Sequence, residues 1–216
     1  ATYSNFAMSG INKQHFGLEV AASIPLYEGL SLKGALSWGQ YIYSNNPNYV
    51  QIQDNSAAII NQGKVYWKNK RVESTPQTAA NIGLSYRSRN NIFASLDLNN
   101  MYLSMSPLYR TDAVLTKPML ENPAMLEDIR GQEKFDAAYV LNASIGKNWY
   151  INRSYTLGFS LSVDNLLNNQ SIKTGGYEQI RLLKNKEAST LTYQPFDSKY
   201  FYMFGTNYYL NLYFRF

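Results

Sequence analysis

The sequence predicts an all-β protein: an antiparallel transmembrane β-barrel segment of about seven to eight strands. Three observations carry this. First, apolar and polar residues alternate along most stretches that are not loop-like, which is the period of a strand with two unlike faces. Second, the connections between these stretches alternate between short and long. A barrel with tight turns at one membrane surface and extended loops at the other sorts its connections this way. Third, the chain closes on YYLNLYFRF. Tyr208, Leu210, Leu212, Phe214 and Phe216 fall on one face of that strand, and Tyr209, Asn211, Tyr213 and Arg215 on the other.

The strands follow in order. Phe16, Leu18, Val20, Ala22, Ile24 and Leu26 alternate with Gly17, Glu19, Ala21 and Ser23, predicting a strand over Gln14–Leu26. After the short Tyr27-Glu28-Gly29 turn, Leu30, Leu32, Leu36 and Trp38 oppose Ser31, Lys33, Ser37 and Gly39, which predicts Leu30–Tyr43. A long polar stretch, about 44–77, carries Pro47 and Pro76. Thr78–Arg87 and Ile92–Met105 alternate again on either side of the Ser88–Asn91 turn. A second long segment, about 106–134, contains Pro107, Pro118 and Pro123. Phe135–Lys147 and Tyr155–Leu167 flank a short turn at 148–154. A third long segment, about 168–198, leads to a last strand predicted over Lys199–Phe216. Thr2–Met8 is a weakly patterned candidate for an eighth strand, and Lys64–Glu73 for a hairpin within the first loop.

The face opposite the apolar one holds Ser, Thr, Asn, Gly and isolated charges such as Glu19, Lys33, Asp97 and Asp164. In a dry core each charge would need a partner; in a wet lumen none is needed. The apolar faces are expected to carry no Lys, Arg, Asp or Glu, matching a penalty of roughly 2–4 kcal/mol for Lys or Arg at the bilayer midplane. Trp38, Tyr41 and Tyr43 at one end, Trp149, Tyr150 and Tyr155 at the other, and Tyr200, Phe201 and Tyr202 before the last strand read as aromatic girdles.

Composition narrows the function. No apolar run approaches the roughly 18 residues of a membrane helix. There is no cysteine, so neither a disulfide framework nor a thiolate metal site is possible. His15 is the only histidine, which leaves no His-based triad or His-rich metal centre. The carboxylates Asp54, Glu121, Glu127, Asp128 and Glu133 lie in predicted loops without the spacing of a calcium loop. Gly175-Gly176-Tyr177 has no Lys-Ser/Thr pair and no following helix, so it is a turn and not a phosphate cradle. The expectation is therefore no enzyme and no cofactor. The net charge of +5 lacks the dense basic stripe of a nucleic-acid binder.

Two loop groups are candidate ligand contacts. Tyr41, Tyr43, Asn45, Asn46, Asn48 and Tyr49 combine ring faces with amides suited to a sugar or chelate, although girdle and turn roles explain them as well. Lys64, Lys68, Lys70 and Arg71 suit phosphate, as in outer-leaflet lipopolysaccharide, although a solvated loop face explains them too.

Gly10–Tyr41, with Gly17 and Glu19 in a Gly-x-Glu pair, resembles the late-barrel segment of TonB-dependent outer-membrane receptors. TPQTAANIGLSYRSRNNIFASLDLN (75–99) is similar to one of their hairpins. LGFSLSVDNLLNNQS (157–171) resembles the Val-x-Asn-Leu-x-Asn motif of their penultimate strand, and the terminal Tyr-Phe-Arg-Phe resembles their last strand. The resemblance covers nearly the whole chain. It implies a Gram-negative outer-membrane barrel of 22 strands with an N-terminal plug. Such a receptor imports a scarce or large nutrient (an iron chelate, a cobalamin or an oligosaccharide) by loop capture and TonB-driven plug displacement. No plug is visible here, so the TonB complex would act through a missing N-terminal part, and residues 1–216 would be a single C-terminal barrel segment. In this reading Phe216, Phe214, Leu212, Leu210 and Tyr208 form the signal for the barrel-assembly machinery. The alternatives are a complete eight-stranded barrel with a structural or adhesive role, and a soluble β-sandwich binding module.

Overall fold

The computed structural model describes residues 4–73, 75–101, 104–105, 123, 132–152, 154–177, 180–184, 191–195 and 199–216. The chain is all-β and antiparallel. Its strands are β1 (Ser4–Ser9), β2 (Lys13–Tyr27), β3 (Leu30–Tyr43), β4 (Asn48–Gln53), β5 (Ile59–Lys64), β6 (Thr78–Arg87), β7 (Ile92–Met101), β8 (Ser104–Met105), β9 (Glu133–Lys134), β10 (Ala138–Ile151), β11 (Tyr155–Asp164), β12 (Lys173–Tyr177), β13 (Ile180–Lys184), β14 (Leu191–Pro195), β15 (Lys199–Tyr202) and β16 (Asn207–Arg215). Among the described residues no helix is long and apolar enough to cross a membrane, which leaves crossing by strands untouched.

Seven strands form one sheet in the order β2-β3-β6-β7-β10-β11-β16, which is also their order along the chain. All seven strands predicted from alternation are therefore present and pair with their sequence neighbours. The sheet does not close: β2 and β16 are its edges, and no pairing joins them.

The short turns set this meander. Glu28 and Gly29 both have positive φ, at 30° and 87°, the backbone of a two-residue hairpin turn whose twist matches its strands. At 88–91, Ser88 N donates to Ile92 O at 2.8 Å, its hydroxyl accepts from Ile92 N at 3.0 Å, and Asn91 takes φ 58°. Asn152 takes φ 50° in the third turn.

Register shows how the faces are assembled. Directly opposed residues share a face. One row runs Ile24, Leu32, Leu84, Leu96, Ala143, Val163, Tyr208, apolar across all seven strands. The next row toward the short turns runs Leu30, Tyr86, Ala94, Ile145, Leu161, Leu210. On the reverse face, Ser31, Ser85, Ser95, Ser144 and Ser162 form a row of hydroxyls ending on Tyr209, with the Ser95 and Ser144 oxygens 2.8 Å apart.

The structure departs from the sequence expectations at several points. The last strand is two: β15 pairs with β12, and residues 203–206 intervene before β16 pairs with β11. β11 stops at Asp164 because Asn165 takes φ 53°. β10 begins at Ala138 and runs on to Ile151, so the turn there is tighter than 148–154. β7 ends at Met101, with Ser104–Met105 paired separately to β9. The N-terminal segment does form a strand, Ser4–Ser9, but it pairs with β4 and not with the large sheet, so it is no eighth barrel strand. The first-loop hairpin is β4-β5, upstream of the Lys64–Glu73 expected for it. One basic residue does lie on the apolar face: Lys147, between Ile92 and Phe159. Its ammonium sits 5.3 Å from the Trp149 ring centroid, at the short-turn end, where a long basic side chain can reach water.

Candidate functional site

Two regions beyond the strand framework carry candidate chemistry: a layer built on the long-connection end of β3, and a groove on the polar face.

The layer forms because β3 outruns its partner β6, whose last pairing is Trp38 with Thr78. The freed end of β3 is taken up by the first long connection. Tyr43 N donates to Lys70 O and Val72 N to Tyr41 O, at 2.8 and 2.9 Å, and Ile42 bridges Arg71. Gln77, buried, accepts from Tyr41 N at 2.8 Å through its side-chain oxygen. Strands β1, β4 and β5 form a three-stranded sheet in this region. Its core is Tyr43, Tyr49, Val65, Trp67 and Val72, with Phe6, Met8 and Tyr41 packed against it. Tyr43 and Trp67 rings lie 4.5 Å apart, and Phe6 stacks on Tyr49 at 4.9 Å.

This arrangement redistributes the predicted contact residues. Tyr43 and Tyr49 are 1% and 2% exposed, so they hold the layer together and offer no ring face to solvent. Asn46 accepts from Lys68 N at 2.8 Å and serves the turn. Tyr41 is half-buried, with His15 edge-on at 5.1 Å. Lys68 and Arg71 are exposed, and Gln132 brackets the Arg71 backbone, accepting from its N at 2.7 Å and donating to its O at 2.8 Å. The girdle reading is corrected by parity: Tyr41 and Tyr43 stand opposite His15 and Lys13 on the polar face, whereas Trp38 stands opposite Leu18 on the apolar one. Tyr150, opposite Thr156, likewise faces away from Trp149 and Tyr155.

Tyr43 lies in this layer, beyond the rows shared with β6. Burial pushes its phenol well above the ordinary tyrosine value, and a 2.6 Å hydrogen bond donated to Glu73 adds to the rise. Tyr49 Oη and Trp67 Nε1 are buried without a hydrogen-bond partner, a cost of roughly 1–3 kcal/mol each.

The groove lies on the polar face and has a volume of about 700 Å³. Glu19 of β2, Asn81 of β6, Asn99 of β7, Asn142 of β10, Asp164 of β11 and Phe204 line it. Asn81 donates to Asn99 at 2.8 Å. At its long-connection end stands a node that sequence reasoning took only as part of a motif. Asn165, 3% exposed, donates to the carbonyls of Asn169 and Phe204, each at 3.0 Å, while its own backbone N donates to Asn142. Thr206 closes the node by donating to Asn165 O at 2.8 Å. The left-handed Asn165 in a Val-Asp-Asn-Leu run was the available signal: Asn tolerates that conformation and can hydrogen-bond backbone around it.

Among the loop carboxylates, Asp54 accepts from Asn5 at 3.0 Å, and Glu133 accepts from the Tyr200 hydroxyl at 2.7 Å with Lys173 at 3.7 Å. Glu121, Glu127 and Asp128 lie outside the described residues. Among the described residues no group of three His, Cys, Asp or Glu is placed to hold a metal. At the other end of the chain, Tyr208, Leu210, Leu212 and Phe214 share the apolar face through Val163, Leu161, Phe159 and Leu157. Phe216, beyond the end of β16, is 96% exposed. No family model, curated protein or solved structure matches the chain.

Proposed function

We propose that this chain is the closing arc of an outer-membrane β-barrel, the C-terminal part of a TonB-dependent receptor of a Gram-negative bacterium. One observation carries the membrane reading: the apolar face spans seven strands and lies open. Ile24, Ile82, Ile145, Leu157 and Leu212 are each between 43% and 70% exposed. A soluble monomer rarely leaves a contiguous apolar patch beyond a few hundred Å² in water. Lipid would cover it. Among the described residues no second sheet packs on Leu157, 43% exposed, as a β-sandwich would require. Strand lengths agree: β6, β7 and β11 have 10 residues each and β16 has 9, close to the roughly 9–11 that a tilted strand needs to cross.

The topology supports an arc of something larger. Six antiparallel steps separate β2 from β16, so these edges run the same way. Antiparallel closure then needs an odd number of further strands between them. In this proposal a plug and the earlier strands supply the rest. The parent receptor captures a nutrient at its long connections and releases it through TonB-driven plug displacement. The exposed apolar side chains of β16 and Phe216 serve assembly, and Lys68 and Arg71 face lipopolysaccharide. The coding sequence upstream of Ala1 tests the receptor reading. A plug domain followed by further alternating strands is expected; a secretion signal directly before Ala1 would overturn it.

A further inference from the structure

We infer that the polar-face groove is a binding site for an uncharged, polyhydroxylated ligand, a short oligosaccharide in chemical class, and that it rejects anionic chelates. This rests on the membrane reading, in which the polar face lines a water-filled lumen.

Four observations converge. The groove, about 700 Å³, lies within the range of small-ligand sites. Its wall presents amides from three neighbouring strands, Asn81, Asn99 and Asn142, set among apolar side chains such as Ala21, Ala35, Ala79 and Val140. Asn99 accepts from Asn81 and Asn142 accepts from Asn165 N, which leaves the Asn81 oxygen and the Asn99 and Asn142 nitrogens to a ligand. A ligand ringed with hydroxyls, each both donor and acceptor, can satisfy such a wall; a simple anion or cation uses only half of it. Phe204 stands at the wall and is 83% exposed. Among the described residues little covers its ring, and the C–H face of a sugar ring is a matching surface for an aromatic ring. Among the described residues the ionised groups lining the groove are Glu19 and Asp164, with no Lys or Arg, although the chain carries 20 Lys and Arg against 15 Asp and Glu. Lys33 is on the same face, two residues nearer the turn than Ala35, and Asp97 stands in its row beyond Gly83. A concave wall of one charge sign repels ligands of that sign. It therefore disfavours multiply anionic iron chelates while leaving neutral ones unaffected.

The test uses the whole chain in lipid nanodiscs, titrated with maltotriose, cellotriose and chitotriose, and with ferric citrate and spermidine as charged probes. Side-chain amide resonances report on Asn81 and Asn142, and calorimetry gives the affinity. The expected result is that at least one trisaccharide shifts those resonances, that its affinity is unchanged between low and high salt, and that ferric citrate does not bind. Phe204→Ala, at an exposed position, should weaken trisaccharide binding about tenfold or more with an unchanged circular dichroism spectrum. If no trisaccharide shifts the amides, if Phe204→Ala binds as well as the parent, or if ferric citrate or spermidine binds more tightly than every sugar, the inference is wrong. Quenching of Trp38 and Trp149 by brominated lipid in the same discs separates the two claims. Quenching without sugar binding defeats the groove alone; absence of quenching defeats the membrane reading on which it rests.

Discussion

Tyr213 of the final strand lays its ring over Gly158 of the neighbouring strand and donates its hydroxyl to Asn148, one strand further in. The three residues lie in one row of the polar face. Gly158 is what makes the contact possible, because a Cβ built there would clash with the hydroxyl end of the Tyr213 ring. The register of β16 is thus held from its inner side, independently of whatever pairs with its outer edge. Gly158→Val should displace Tyr213 and cost roughly 1–3 kcal/mol. Tyr213→Phe keeps the ring and loses only the hydrogen bond, about 0.5–1.5 kcal/mol. Urea unfolding of the refolded chain should rank the two variants in that order.

The first hairpin depends on a different glycine. Gly29 has φ 87°, and a Cβ there would meet the Arg87 carbonyl of β6. Gly29→Ala combines a strained backbone with that clash, so it should destabilise the β2-β3-β6 end by about 1–3 kcal/mol. Gly34→Ala, whose nearest added contact is an ordinary 3.9 Å to Asn81 O, is the matched control and should change stability little.

Asn165 offers a local test of the node before β16. Asn165→Ala leaves the carbonyls of Asn169 and Phe204 without their donor. Hydrogen exchange at Thr206 and Tyr208 should accelerate, while amides around the Glu28-Gly29 turn keep their rates. Equal acceleration at both places would mean that Asn165 supports the sheet as a whole and not this junction.

The loop layer should be sensitive to alkali. Folded Tyr43 holds its proton more tightly than the unfolded chain does, because burial and Glu73 disfavour the phenolate. That stability is fully present below the ordinary tyrosine value of 10.0. As pH rises above it, the unfolded chain releases a proton that the folded layer keeps, and the layer weakens. Trp67 emission, followed in a Trp38→Phe/Trp149→Phe background between pH 8 and pH 11, should report the loss. Tyr43→Phe should flatten the profile. Tyr49→Phe, which removes a buried hydroxyl with no partner, should leave stability unchanged or raised.

The seven-stranded sheet was legible because period-two alternation is a local signal that needs no knowledge of what packs where. The serine row opposite the Ile24–Tyr208 row follows from it directly. Parity was also legible at Trp38 and Tyr41: one even and one odd residue on the same strand must face opposite ways, so they cannot share a girdle. The break at 203–206 was hidden because large apolar and aromatic residues run on from Tyr200 through Met203 to Phe204 and mask the change of pairing partner. The layer on β3 was illegible for another reason. β4, NYVQIQ, has little apolar contrast, and the burial of Tyr43 and Tyr49 comes from Val65, Trp67 and Val72, which meet them only in the folded chain. The groove likewise needs residues from β2 through β11, brought together only by register.

The most direct test of the account is where the three tryptophans sit relative to lipid. Trp38 and Trp149 are on the apolar face, 55% and 40% exposed, toward its opposite ends, and Trp67 is buried in the loop layer. Single-tryptophan forms of the chain, reconstituted with phosphatidylcholines brominated at defined depths, separate these positions. Strong quenching of Trp38 and Trp149 and little quenching of Trp67 are expected. Equal, weak quenching of all three, with a chain that stays monomeric in buffer without lipid or detergent, would contradict the membrane reading.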